Sequence, residues 1–145
     1  MLIVDDERFN CDIIYGFMML LAVQNRKAKT DFAYNGEQAI QQVQKAITEG
    51  EPLRYPLILM DCNMPFIDGY EATKQIRLLY REIGIERNKQ PKIIAVTGHV
   101  ENEYIAKAIE SGMDKVFSKP LNCRDFGLLL LEMGFIDEMP QHLVD

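Results

Sequence analysis

Short unbroken apolar runs alternate with segments of helical period along the whole chain, and few architectures accept that order. Leu2 to Val4, Leu57 to Met60 and Ile93 to Val96 hold no polar residue, as strands buried on both faces require. Lys29 to Tyr34 alternates instead, with Thr30, Phe32 and Tyr34 set against Asp31 and Ala33. That is the pattern of a half-exposed edge strand. Val116-Phe117 reads as a fifth, very short strand. Between these runs, apolar residues recur at helical spacing. Ile13, Phe17, Leu20 and Leu21 share one face, Ile40, Val43 and Ile47 a second, and Ala72, Ile76 and Leu79 a third. Ile105, Ala108, Ile109 and Gly112, then Phe126, Leu129, Leu130 and Met133, complete the series. Asn35, Asp68 and Asn122 stand where N-caps belong, with Gln38, Glu71 and Asp125 three residues on. Helix two ends at Gly50. This order predicts an α/β fold: an open, doubly wound parallel sheet of five strands, covered on both faces through right-handed crossovers. The 145 residues are too few for a closed (β/α)8 barrel.

Composition narrows the class further. At 145 residues the chain supports one hydrophobic core, so 1–145 is read as a single domain. Apolar residues are 48% and charged residues 26%, a globular balance. The longest apolar run, Phe17 to Val23, is far short of the roughly 18 residues of a membrane span, so no membrane insertion is expected. No basic leader precedes the first strand, and Cys11, Cys62 and Cys123 are odd in number with no metal spacing. Reduced thiols and a cytoplasmic location are the expectation. A net charge of -6 argues against direct nucleic-acid binding, which needs a basic face.

The chemistry lies where polar residues meet the ends of the apolar runs. Asp5 and Asp6 follow the first run, Asp61 the third and Thr97 the fourth, and Lys119 lies two residues past the fifth. Parallel strands all point one way, so these side chains gather at the carboxyl edge, where open α/β sheets bind ligands. Taken singly, each is more ordinarily a turn residue, a cap or a solvated charge. Their coincidence at one edge is not so easily explained. Carboxylates that close repel, and all stay ionised only with a cation among them. For hard oxygen ligands with room for water, that cation is Mg²⁺. Such a site suits phosphoryl transfer: an aspartate can form a covalent phosphate, and a metal, a lysine and a hydroxyl can stabilise the phosphoryl oxygens. Asp61, on a central strand, is the natural acceptor.

Leu2-Ile3-Val4-Asp5-Asp6-Glu7, Leu57 to Pro65 with Asp68-Gly69, Ala95-Val96-Thr97 and Ser118-Lys119-Pro120 together resemble the receiver domain of two-component response regulators. The resemblance covers about residues 1–133, leaving a short C-terminal tail, 134–145, and the Met60 to Pro65 segment looks most like receivers attached to hybrid histidine kinases. It implies a (βα)5 flavodoxin-like fold with strand order 2-1-3-4-5. It also implies that Asp61 accepts a phosphoryl group from a histidine kinase or a histidine phosphotransfer protein. Mg²⁺ would be bound by Asp61, by Asp6 directly, by Asp5 largely through water, and by the Asn63 backbone carbonyl. Thr97 would be the switch hydroxyl and Lys119 the phosphate partner, with a cis bond before Pro120. No conventional turnover enzyme is implied; such a domain catalyses its own phosphorylation and dephosphorylation and relays the signal by changing shape.

Departures from the pattern matter as well. The family's switch aromatic, three residues before the lysine, is here Val116, and strand alternation sends the neighbouring Phe117 to the opposite face. Gly98 stands where alanine is commoner. His99, two residues past Thr97, and Asn63 are expected to tune the aspartyl-phosphate lifetime by controlling water access, whereas His99 and His142 share no metal spacing. Cys62 should point away from Asp61 into packing. A homodimer face built from helix four, strand five and helix five would draw on Val116, Phe117 and Phe126. Two rivals stand beside this reading. One is a receiver-like module that works without phosphorylation. The other is an aspartyl-phosphate phosphohydrolase, disfavoured because Asn63 occupies the position its general acid would need.

Overall fold

The computed structural model describes residues 1–21 and 29–144. Ala22 and Val23, at the end of the longest apolar run, lie outside the described residues. Five strands alternate with helices: β1 (Leu2–Val4), α1 (Arg8–Leu20), β2 (Asp31–Ala33), α2 (Gly36–Thr48), β3 (Leu57–Asp61), α3 (Gly69–Glu82), β4 (Lys92–Thr97), α4 (Asn102–Ser111), β5 (Lys115–Ser118) and α5 (Cys123–Glu132). A 3-10 turn at Arg87–Lys89 precedes β4, and a short α6 (Gln141–Val144) follows α5. The sheet is wholly parallel in the order β2-β1-β3-β4-β5, the order expected, with the alternating strand at one edge. No helix among the described residues is long and apolar enough to cross a membrane.

Strand alternation splits the core into two layers. Leu2, Val4, Ile58, Met60, Ile93 and Ala95 face α2, α3 and α4, where Ala39, Val43, Ala72, Ile76 and Tyr80 complete the layer. Ile3, Leu57, Leu59 and Ile94 face α1 and α5, against Cys11, Ile14, Met18, Phe126 and Leu130. Phe135 and Ile136, in the segment assigned to the tail, are buried in this second layer. Val116 packs with the first layer and Phe117 with the second, so alternation divides them as expected. All three expected caps form: Asn35, Asp68 and Asn122 accept hydrogen bonds from the backbone N–H groups of Gln38, Glu71 and Asp125 at 2.7, 2.9 and 2.8 Å.

Two helix faces differ from the periodic reading. In α1 the inward residues are Cys11, Ile14 and Met18, continued by Leu21, whereas Ile13 and Leu20 are 37% and 60% exposed and Phe17 is half-buried. Phe9, Tyr15 and Met19 are exposed as well, so α1 is apolar on more than one side and periodicity alone cannot choose its inner stripe. In α4 only Ala108 of the expected set is buried, beside Ser111, while Ile105 and Ile109 stay exposed. The small residues let α4 approach α3 and β5 closely, and the larger ones are left outside. Phe126 is likewise corrected. It is fully buried and cannot contribute to a dimer face, where the exposed apolar residues are instead Ile105 and Ile109 of α4 and Leu128 and Leu131 of α5.

The amino ends of β4 and β5 are tied by a buried guanidinium. Arg77 of α3 donates from Nε to the Gly112 carbonyl at 2.9 Å and from Nη1 to Gln90 Oε1 and the Pro91 carbonyl. Its Nη2 donates to Asp114 Oδ2 at 3.0 Å, and the same oxygen accepts the Ile93 N–H. Burial pulls Arg77 down to about 10, against the pull of Asp114. Arg87 reaches Asp114 from outside, with a half-exposed side chain. Arg77→Met should therefore cost about 2–4 kcal/mol, by taking the guanidinium from Gln90 Oε1 and the Pro91 carbonyl and leaving Asp114 only Arg87 and the Ile93 N–H. Arg87→Ala should cost no more than about 1 kcal/mol. Urea denaturation of the two variants checks the contrast.

Candidate functional site

The register builds the site. Val4 pairs with Met60, so the next step along each strand sets Asp5 beside Asp61, and Thr97 of β4 pairs with Ser118, the residue before Lys119. Asp5 is fixed from two sides: its Oδ1 accepts the Glu7 N–H at 2.9 Å and its Oδ2 accepts the Asn10 amide at 3.1 Å. Asp6, next in the chain, is exposed, and carboxylate oxygens of Asp5, Asp6 and Asp61 all lie within 4.8 Å of one another. Lys119 Nζ bridges Asp61 Oδ1 at 3.1 Å and Asp5 Oδ2 at 3.3 Å, and the Lys119-Pro120 bond is cis.

Asp61 is buried at 2% exposure. Its Oδ1 takes the Asn63 N–H at 3.2 Å as well as Lys119, while its Oδ2 has no hydrogen-bond partner. Among the described residues only the Tyr80 hydroxyl shares that condition. An unpaired buried carboxylate oxygen is costly and marks a position that a cation or a reacting group can fill. Burial and the Asp5 charge push the Asp61 carboxyl up to about 6, against Lys119 and the Asn63 N–H. Burial opposes the Lys119 charge too, but Asp61 and Asp5 outweigh it and hold the ammonium above its ordinary range. Three clustered carboxylates with one unpaired oxygen form a hard donor set that fits Mg²⁺.

Thr97 is buried, and its Oγ1 accepts the His99 N–H at 3.1 Å, with the Asn63 amide 3.5 Å away. The exposed His99 ring stacks on Tyr104, with centroids 4.8 Å apart. Cys62 is buried in the first core layer, as expected. Gly69 closes the loop after β3: a Cβ there would stand 2.1 Å from the Asp61 carbonyl oxygen, and its N–H donates to the Cys62 carbonyl at 3.0 Å. The structure thus brings together Asp5, Asp6, Asp61, Asn63, Thr97 and Lys119, the residues expected to hold the metal and the phosphoryl group, while the His99 ring stays outside on Tyr104. Asn10 was missed; its place in the first turn of α1, directly after the acidic pair, is the one signal that pointed to it.

Comparison with known proteins gives the same picture. Residues 1–129 match the response regulator receiver domain. "Probable histidine kinase 2" of Oryza sativa subsp. indica is 38% identical over 104 residues, which is 67% of this chain and 10% of that protein. The chain spans about a tenth of the length of the first curated relatives it matches, all histidine kinases by name. The crystal structure of the receiver domain of the histidine kinase CKI1 from Arabidopsis thaliana, complexed with Mg²⁺ and BeF3⁻, superposes with a TM-score of 0.74 at 29% identity, covering 92% of this chain and 87% of that one. The receiver domain of Ssk1, from a co-crystal with the Saccharomyces cerevisiae phosphotransfer protein Ypd1, gives 0.74 at 28% identity over 97% and 91% of the two chains. With four motifs in order, the sheet order and one converged acidic edge, this chain belongs to the response regulator receiver domains of two-component phosphorelay signalling.

Proposed function

We propose that this receiver takes a phosphoryl group from a protein phosphohistidine onto Asp61 and relays the change through the loops after β3 and β4. The observation that carries the reading is the cluster of Asp5, Asp6 and Asp61 oxygens within 4.8 Å, bridged by a single lysine. An oxygen of Asp61 attacks phosphorus in line, the N–P bond of the donor breaks, and its electron pair returns to the imidazole. Asp5, Asp6, Asp61 and the Asn63 carbonyl would hold Mg²⁺, which would supply positive charge against the phosphoryl oxygens. Lys119 then exchanges its Asp61 contact for a phosphoryl oxygen. Thr97 gives up the His99 N–H and turns its hydroxyl inward, which frees the segment leading into α4. With Val116 at the switch position and Phe117 turned into the other core layer, no aromatic of β5 faces the site to follow that motion, so output runs through the β4–α4 segment. A listener or a second copy would read the exposed Ile105 and Ile109 of α4 with Leu128 and Leu131 of α5. The donor is a histidine kinase or phosphotransfer protein, and the exposed apolar side of α1 beside the acidic edge supports its approach. The chain's similarity to segments of much longer kinases supports a place within, or alongside, such a kinase.

With Mg²⁺ and radiolabelled acetyl phosphate, the protein should gain acid-stable, base-labile label that is lost in Asp61→Asn; Lys119→Ala should slow labelling on the order of a hundredfold. No label on the wild type would leave only the phosphorylation-independent module.

Folding raises the Asp61 carboxyl from 3.8 to about 6, so its ionisation between those values weakens the fold, with the loss complete above the upper one. Melting of the metal-free wild type should therefore fall relative to Asp61→Asn as pH rises from roughly 4 to 7. Millimolar Mg²⁺ should close that gap at neutral pH, as scanning calorimetry would report.

His99→Ala and Asn63→Ala should each change the rate at which label leaves Asp61 several-fold, measured after removal of acetyl phosphate. Equal rates would remove both residues from control of the reacting water.

A further inference from the structure

Phe66 combines two features found together nowhere else among the described residues. Its backbone lies at φ 67, the one non-glycine residue there with positive φ, and its side chain is fully exposed, at 105% of the reference area. A bulky residue in the left-handed region is a strained outlier, and such strain survives only where its surroundings fix it. They do so here. The loop from Cys62 closes through the Gly69 N–H on the Cys62 carbonyl, and a Cβ on Gly36 would stand 2.6 Å from the Ile67 carbonyl oxygen, so α2 backs the loop directly. Strain and exposure therefore fall on the same side chain with no gain inside the domain.

We infer that Phe66 is an anchor for the phosphoryl donor: a side chain that inserts into an apolar pocket of the phosphohistidine-bearing protein. This rests on the reading of Asp61 as acceptor. The position supports it. Phe66 is three residues from Gly69, at most about 11 Å of chain, and Gly69 is packed against the Asp61 carbonyl. A standard interface covers about 800 Å² per partner, roughly 16 Å in radius. A protein surface centred on Asp61 therefore covers Phe66 as well. Phe9 stands 71% exposed in the first turn of α1, after Asp5 and Asp6. Each of the two strands that deliver the carboxylates, β1 and β3, is thus followed five residues past its end by an outward phenylalanine. Buried aromatic anchors ringed by weaker contacts are the usual source of binding energy at such surfaces. A small phosphodonor needs neither phenylalanine.

The experiment compares two phosphodonors on the intact chain: acetyl phosphate and phosphorylated Ypd1. Phe66→Asn suits positive φ and should melt no lower than wild type. It should take label from acetyl phosphate at the wild-type rate while its kcat/KM for transfer from Ypd1 falls at least tenfold. Phe66→Tyr should restore most of the transfer. Equal transfer to wild type and Phe66→Asn would overturn the inference, as would a wild type that labels with acetyl phosphate and takes nothing from Ypd1. Parallel losses with both donors would also overturn it, since the residue would then shape the acceptor loop rather than meet a partner. Failure of the wild type to label with any donor would instead overturn the Asp61 reading itself.

Discussion

Three carboxylates held within a few ångströms of one another repel, and the rest of the molecule is arranged so that they stay there. The parallel register sets Asp5 beside Asp61, while two apolar layers lock the strands that carry them. Lys119 answers part of the charge from the far strand. One oxygen of Asp61 still has no partner, and its carboxyl sits well above the ordinary carboxylate range. An acidic centre left unbalanced in this way responds strongly to added positive charge or to covalent capture of a phosphoryl group. In the proposed phosphoacceptor role, a two-state signal would rest on that sensitivity.

The two ends of the sheet are built for different tasks. At the amino end Arg77 ties α3, β4 and the segment before β5 through Asp114, and the buried guanidinium makes that end costly to open. At the carboxyl end the segment after β4 is held more lightly: the Thr97 hydroxyl takes the His99 N–H and the Asn63 amide, and the His99 ring rests on Tyr104 at the surface. Rearrangement at the carboxyl edge can therefore proceed while the opposite end holds the strands in register. The exposed isoleucines of α4 lie on the helix that follows that softer segment.

Much of this was legible beforehand because it depends on local chemistry. The caps at Asn35, Asp68 and Asn122 formed as read, since a cap needs only its own side chain and the next turn of helix. The all-apolar strands were equally plain. The inner stripe of α1 is not: its spacing favours Ile13 and Leu20, whereas Cys11, Ile14 and Met18 point inward, because the helix is apolar on several sides. Phe126 falls on the apolar face of α5 as its spacing implies, and its full burial removes it only from the dimer face, since spacing marks a stripe and not how completely the neighbouring elements close over it. Asn10, Arg77 and Phe66 left little trace, because their partners or their lack of partners lie across the fold.

The sequence alone determined the element order, the parallel sheet and the set of residues at its carboxyl edge. These follow from where apolar runs end, and every strand of a parallel sheet ends on the same side. Only the tertiary structure decided how closely the carboxylates crowd, which Asp61 oxygen is left without a partner, and which side of each helix stays outside. Those outcomes depend on distances between segments remote along the chain, and no local pattern of side chains encodes a distance.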